Sequence, residues 1–238
     1  MLFLGEEMMS EIRYKEKKQE AFEAIIFDID GTLWNIIPTY FQAVNEELIK
    51  YDIPPVGIDH IIALLKSGAM FRNVITDIIS AQNHLINIPD FMKNVSIRYR
   101  DLEEDGVQLY PDAPHLFAEL KIRNIKIGLA TDRLSSRGRI RRICLRMGIA
   151  HYIEAVTSCL YVQNQKPAPD LIIDCANHLA VPMEKCLVVG DTKNDILAAK
   201  EAGGTGIGIL TGQDNYEEMM KVKPFAIVNN LMEILALV

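Results

Sequence analysis

Apolar and polar positions divide the chain into two textures. From Ala24 to Phe27 four apolar residues run without interruption, the pattern of a short strand buried on both faces. The stretch that follows, roughly residues 34–106, carries no convincing strand, and its apolar residues recur at helical spacing. Phe41, Val44, Leu48 and Ile49 form one stripe, and Ile61, Leu64 and Leu65 a second. Val74, Ile75, Ile78 and Ile79 form a third, and Phe91, Val95 and Tyr99 a fourth. Pro54-Pro55, Ser67-Gly68 and Pro89 separate them. From Tyr110 onward the texture alternates. Helices are predicted at about 113–123, 134–148, 168–179 and 194–202, with a last one at 229–237. Strands are predicted at 125–131, 153–157, 186–189, near 207–210 and at 225–228. Such alternation predicts an α/β fold with a Rossmann-like parallel sheet and right-handed crossovers. The expected organisation is a core of residues 1–33 and 107–238 with an all-helical domain, 34–106, inserted after the first strand. Residues 1–22 are mixed in charge and read as a peripheral segment.

Composition narrows the classes. A chain of 238 residues accommodates one domain with a substantial insertion. The net charge of −7 argues against nucleic acid as the main partner. No apolar run approaches the ~20 residues of a membrane span, and Met1-Leu2-Phe3-Leu4 is too short for a signal-peptide core. Cys144, Cys159, Cys175 and Cys186 form no CxxC pair and no zinc spacing, which predicts reduced, buried thiols. The expectation is a soluble cytoplasmic protein with neither membrane nor nucleic-acid partner; monomer and homodimer both stay open.

The chemistry begins where the first strand ends. Asp28 and Asp30 stand at i and i+2, so an extended chain points both carboxylates to one side before Gly31 breaks the run. Two anions so close repel, and a bound cation is the usual compensation. A calcium loop counted from Asp28 would need Gly and Glu where Leu33 and Thr39 stand, so that reading fails. The run Gly203-Gly204-Thr205-Gly206-Ile207-Gly208 follows a predicted helix and precedes a strand, the reverse of a dinucleotide-binding context; it reads as a helix end and turn.

Three further motifs follow in order. An apolar strand ends in Thr131-Asp132. Lys166 precedes a proline-broken helix start, Pro167-Ala168-Pro169-Asp170. The strand Leu187-Val188-Val189 runs into Gly190-Asp191, with Asp195 one helical turn on. With Asp28-Ile29-Asp30-Gly31-Thr32, these resemble the four motifs of the haloacid dehalogenase (HAD) superfamily over about residues 24–237. The insertion resembles its helical C1 cap, as in phosphoglycolate phosphatase-like members. The resemblance implies a HAD-type phosphatase that hydrolyses a small phosphorylated metabolite through an aspartyl-phosphate. It implies Asp28 as nucleophile and Asp30 as acid–base. Thr131 would donate to the phosphoryl group, and Lys166 would supply a fixed positive charge. Mg²⁺ would be held by Asp28, Asp191 and the backbone carbonyl of Asp30, with Asp195 supporting from behind. Asp132 joins Thr131 and Lys166 as a residue facing the substrate.

Departures from the family's variants shape the expectation. Asp30 is missing in the superfamily's dehalogenases and replaced by Ala in its phosphonate hydrolases, so its presence here favours phosphate esters. Ile36 and Tyr40 stand where β-phosphoglucomutases carry Thr and His. A phosphotransferase or mutase, or a non-catalytic binding protein of the same fold, is the alternative; a degenerate member would be expected to lose one of Asp28, Asp30, Lys166 and Asp191. In the insertion, Arg72 follows the Ser67-Gly68 break and is a candidate grip for a second anionic group. Arg137, Arg139, Arg141, Arg142 and Arg146 fall mostly on the outer face of a helix whose inward stripe is Ile140, Ile143, Cys144 and Met147, and read as a solvated basic face. Arg133, directly after Thr131-Asp132, is the exception, a candidate to touch substrate.

Overall fold

The computed structural model describes residues 21–59, 71–80 and 86–238, and within 71–80 the side chains of Val74 and residues 76–80. Its strands, in chain order, are β1 (Ala24–Phe27), β2 (Trp34–Asn35), β3 (Gln108–Leu109), β4 (Lys126–Thr131), β5 (Ile153–Ser158), β6 (Cys186–Gly190), β7 (Thr205–Ile209) and β8 (Ala226–Val228). Six of them form one parallel sheet in the order β5-β4-β1-β6-β7-β8. Alternation along β1 explains its uninterrupted apolar run. Ile25 and Phe27 enter one layer with Leu116, Phe117, Ile140 and Leu231. Ala24 and Ile26 enter the other with Leu171, Cys175 and Ala198. All four residues are fully buried, each large one contributing about 1.5–3 kcal/mol of burial free energy.

The winding places the site. From β1 the chain proceeds to β4 and β5 on one side, then crosses to β6, β7 and β8 on the other. The direction therefore reverses between β1 and β6, and a crevice opens there at the carboxyl ends of the strands. Phe27 lies opposite Leu129 in β4 and Val189 in β6, so Asp28, Thr131 and Asp191 leave three adjacent strands at one edge.

Between β2 and β3 lie helices Ile37–Ile49, Phe71–Ser80 and Ile88–Gly106. They pack a cluster of their own around Phe41, Val44, Leu48, Val74, Phe91 and Val95. Asn87 caps the helix Ile88–Gly106, accepting from the Asp90 N–H at 3.3 Å, and Pro89 sits in its first turn, where no donor is needed.

Several sequence expectations shift. The segment read as strand-free opens with β2, which pairs antiparallel with β3 just beyond its end, Trp34 with Leu109 and Asn35 with Gln108. Two-residue strands are too short to show a period. Ile49 is 55% exposed, because it lies about 100° around the helix from Leu48 and the helix stops at once. The last helix shrinks to a 3₁₀ segment, Leu231–Ala236, started by Asn230, with Leu231 and Ile234 buried at the three-residue spacing such a helix eclipses. A short helix, Tyr216–Lys221, was not foreseen. Residues 1–20, the stripe Ile61, Leu64 and Leu65, and the Ser67-Gly68 break lie outside the described residues. The four cysteines are free and buried. No described helix is long and apolar enough to cross a membrane.

Candidate active site

A cavity of ≈ 260 Å³ opens at the winding reversal, lined by Asp28, Asp30, Thr131, Asp132, Asp191 and Asp195, together with Arg133, Thr192 and Gln213. The first six are residues picked out by sequence motif, gathered here from three strand ends and one helix start. Lys166 stands behind them. Arg72 falls in the first turn of the helix Phe71–Ser80, and its side chain lies outside the described residues.

Asp28 is fixed by its backbone and by a charge. Its N–H donates to the Val189 carbonyl at 2.8 Å, and its Oδ1 accepts from Lys166 Nζ at 2.6 Å. Burial pushes its carboxyl well above the ordinary carboxylate range; Lys166 opposes that, while Asp195, Asp191 and Asp30 add to it. Lys166 Nζ also meets Asp195 Oδ1 at 2.7 Å and the Ala130 carbonyl at 2.8 Å. Burial alone would pull the ammonium down; Asp195 and Asp28 overcome it, so the group is held well above its usual value and stays charged. The Lys166 backbone N–H donates to Asp132 Oδ1 at 3.1 Å. Asp132 therefore places the lysine; burial raises its own carboxyl against the opposing charge of Lys166.

Asp195 ties the lysine to the helix Lys193–Glu201. Its Oδ2 accepts from the Thr192 N–H at 3.0 Å and from Thr192 Oγ1 at 2.6 Å, closing a reciprocal cap at the helix start. One carboxylate thus stops the helix N-terminus and, through its other oxygen, orients the cation beside Asp28.

Asp191 is gripped on both oxygens by neutral donors, Thr32 Oγ1 at 3.2 Å and the Gln213 N–H at 2.8 Å. Burial first, then Asp195, pushes its carboxyl up to about 8. Backbone crowds it closely. Gly31 has φ +79°, and a Cβ there would stand 2.4 Å from Asp191 Oδ2; a Cβ at Gly212 would stand 1.9 Å away. Thr211, in the same loop, donates from Oγ1 to the Gly31 carbonyl at 2.6 Å. This loop after β7 was missed in the sequence, where the only signal is its place at a strand's carboxyl end.

The donor set can be tested for a metal. Among the described residues no three His, Cys, Asp or Glu side chains converge into a ready cage. Asp30 is turned aside: both its oxygens accept from Arg133, from Nε at 2.5 Å and from Nη2. What remains is Asp28 and Asp191, two buried carboxylates with raised pKa values, on an edge where acids outnumber cations. An oxygen-only set of two carboxylates, completed by a backbone carbonyl, water and substrate, fits a hard divalent cation.

Arg133 lines the cavity with its guanidinium tied to Asp30. Its side chain is 9% exposed and lies against Trp34, 4.9 Å from the ring centroid. The helix Arg137–Arg146 does not present a merely solvated basic face. Arg139 donates to the Arg100 carbonyl at 2.7 Å and pairs with Glu103 at 3.0 Å. Arg142 reaches Glu104 at 3.3 Å, and Arg146 the Val107 carbonyl at 2.8 Å. These arginines tie the end of the helix Ile88–Gly106 to the helix Arg137–Arg146, an arrangement a one-helix wheel cannot reveal.

Comparison with known proteins agrees with the geometry. Residues 25–233 match the family model described as haloacid dehalogenase-like hydrolase. A protein of Escherichia coli named phosphoglycolate phosphatase is 26% identical over 239 residues, covering 92% of this chain and 93% of that protein. Among solved structures, a HAD family hydrolase from Deinococcus radiodurans with bound phosphate and sodium superposes with a TM-score of 0.70 at 23% identity, covering 91% of this chain and 94% of that one. A chain from Haemophilus somnus, described as a predicted phosphoglycolate phosphatase, gives 0.68 at 23%, covering 91% and 97%.

Proposed function

The chain belongs to the haloacid dehalogenase-like hydrolases, and from that premise we propose that it is a Mg²⁺-dependent phosphomonoesterase acting on a small phosphorylated metabolite through an aspartyl-phosphate on Asp28. The observation that carries the reading is the contact of Lys166 Nζ with Asp28 Oδ1 at 2.6 Å, on the same edge as Thr131 and Asp191. A carboxylate oriented by a buried cation at the mouth of a small cavity is placed to attack phosphorus.

The steps follow from the side chains. The free oxygen of Asp28 attacks the phosphoryl phosphorus in line with the ester oxygen. The P–O ester bond breaks, its electron pair stays on the leaving oxygen, and Asp30 delivers a proton there. Thr131 donates from its hydroxyl to a phosphoryl oxygen, and Lys166 balances the charge that builds on Asp28 and the phosphoryl group. Asp30, now a carboxylate, takes a proton from water as that water attacks phosphorus, the Asp28–phosphorus bond breaks and inorganic phosphate leaves. Mg²⁺, when bound by Asp28, Asp191 and the Asp30 carbonyl, supplies positive charge to the phosphoryl oxygens. The cavity of ≈ 260 Å³ suits a phosphoryl group with a small leaving group. The helical segment between β2 and β3 acts as a cap that excludes water and selects that group.

The test is phosphate release from p-nitrophenyl phosphate and from a panel of phosphorylated metabolites, with and without Mg²⁺. Relatives named phosphoglycolate phosphatase put 2-phosphoglycolate first on that panel. No Mg²⁺-dependent release from any compound would end the reading.

A further inference from the structure

Resting on that phosphatase reading, we propose that Arg133 is a positioning residue for the acid–base carboxylate Asp30, and that Glu103 and Tyr99 on the helix Ile88–Gly106 set its orientation. Every edge of the guanidinium is in use. Nε donates to Asp30 Oδ2 at 2.5 Å and Nη2 to Asp30 Oδ1, the two-pronged grip that fixes a carboxyl plane. Nη1 donates to Glu103 Oε2, and Nη2 also reaches the Tyr99 hydroxyl at 2.5 Å. The central carbon of the guanidinium also lies 4.9 Å from the Trp34 ring centroid and 5.5 Å from that of Tyr99. Glu103 is 2% exposed on a helix of the inserted segment, and Arg139 of the sheet domain holds it from the other side at 3.0 Å. A carboxylate buried that deeply, on a different element from the reacting atoms, is held in place by the two arginines it pairs with. The plane of Asp30 is therefore set by a chain of contacts that begins in the inserted helices.

This arrangement serves proton transfer. Asp30 needs one oxygen toward the ester oxygen of the substrate, and that oxygen must release its arginine bond. The second oxygen keeps its bond to Arg133, so the carboxyl pivots about a fixed point. Lysine in place of arginine keeps the charge and loses the fork. Correct placement of the inserted helices, read through Glu103 and Tyr99, then determines how well the acid is aimed.

Leaving-group dependence tests it. p-Nitrophenolate departs without a proton, whereas an alkoxide needs one from Asp30. kcat/KM should be measured with Mg²⁺ for p-nitrophenyl phosphate and for an alkyl phosphate on which the wild type is active. Arg133→Lys should lower the alkyl-to-aryl ratio about 10-fold or more, a part of the ~10²–10⁴ that a positioned acid supplies. Glu103→Gln and Tyr99→Phe should move the same ratio in the same direction by a smaller factor. Equal losses on both substrates in Arg133→Lys would overturn the inference and leave Arg133 as a structural or phosphate-binding group. Should Arg133→Lys fail to fold, Tyr99→Phe, which keeps the ring packed on the guanidinium, decides by the same ratio. A wild type that releases phosphate from neither substrate overturns the phosphatase reading itself and this inference with it, a result distinct from equal losses in the variants.

Discussion

Replacing Lys166 with methionine takes the cation out of the site while keeping most of its volume. The side chain is 1% exposed and its Nζ lies 2.6 Å from Asp28 and 2.7 Å from Asp195. Removing one partner from a buried ion pair costs about 3–5 kcal/mol, because the other charge is left uncompensated. Two carboxylates lose a partner here, but they need not both stay charged. Asp28 is already pushed upward by burial and takes a proton readily once Lys166 is gone. The lower end of that range is therefore expected, about 3 kcal/mol near neutral pH, or roughly 6–12 °C in Tm for a chain of this size. A raised folded-state pKa contributes stability that is present at low pH and lost as pH rises through it, so the variant's deficit should widen from pH 6 to pH 9. Catalysis should suffer separately, by about 10²–10³ in kcat, as for the loss of one preorganised electrostatic donor. The assay is thermal unfolding in EDTA beside Mg²⁺-dependent phosphate release. Adding Asp195→Asn should return part of the stability and none of the activity, since it removes the second stranded carboxylate and leaves Asp28 without its cation. A Tm within about 2 °C of wild type, or kcat within about 3-fold, would refute the reasoning.

Other consequences are as direct. The Asp191 carboxyl sits at about 8 in the fold against 3.8 ordinarily, so the folded, metal-free protein binds a proton that the unfolded chain has released. Its stability contribution is complete below about pH 4 and is lost as pH rises through 8; Tm in EDTA should fall from pH 5 to 8.5, and a flat or rising Tm contradicts this. Stabilisation by Mg²⁺ should grow over the same interval, as the cation replaces that proton. EDTA should abolish phosphate release and Mg²⁺ should restore it better than Ca²⁺, whose longer bonds and higher coordination number misplace Asp28; undiminished activity in excess EDTA rules the metal out. Gly212→Ala sets a Cβ 1.9 Å from Asp191 Oδ2 in the unrelaxed fold, so about 1–3 kcal/mol of stability and at least about 10-fold in kcat should be lost; activity equal to wild type would show that Asp191 need not sit where it is.

Much of this site was legible in the sequence, for identifiable reasons. Strand ends advertise themselves: an apolar run at 24–27 halted by Asp28, another at 187–189 halted by Gly190-Asp191, and a third closing on Thr131. With parallel pairing, three such ends lie side by side. Lys166 could be picked out as a motif, but its three-way contact with Asp28, Asp195 and Ala130 depends on tertiary geometry. Gln213 has no local mark beyond following β7. For the helix Arg137–Arg146 the helical wheel separates inward from outward faces, and Arg141, Arg142 and Arg146 are indeed exposed, but it says nothing of the helix Ile88–Gly106, toward whose end Arg139, Arg142 and Arg146 reach. Arg133 was the hardest to assign, since its partners Glu103 and Tyr99 come from the inserted segment some thirty residues earlier.

The central claim is that Asp28 carries the phosphoryl group, and acid quenching during steady-state turnover tests it most directly. Mass analysis of the digested wild-type protein should find a peptide containing Asp28 heavier by one phosphoryl group, labile to hydroxylamine. Asp28→Asn, with an isosteric side chain of poor nucleophilicity, should show neither the adduct nor measurable turnover. Turnover near the wild-type rate in Asp28→Asn, or an adduct on any residue other than Asp28, would contradict the account.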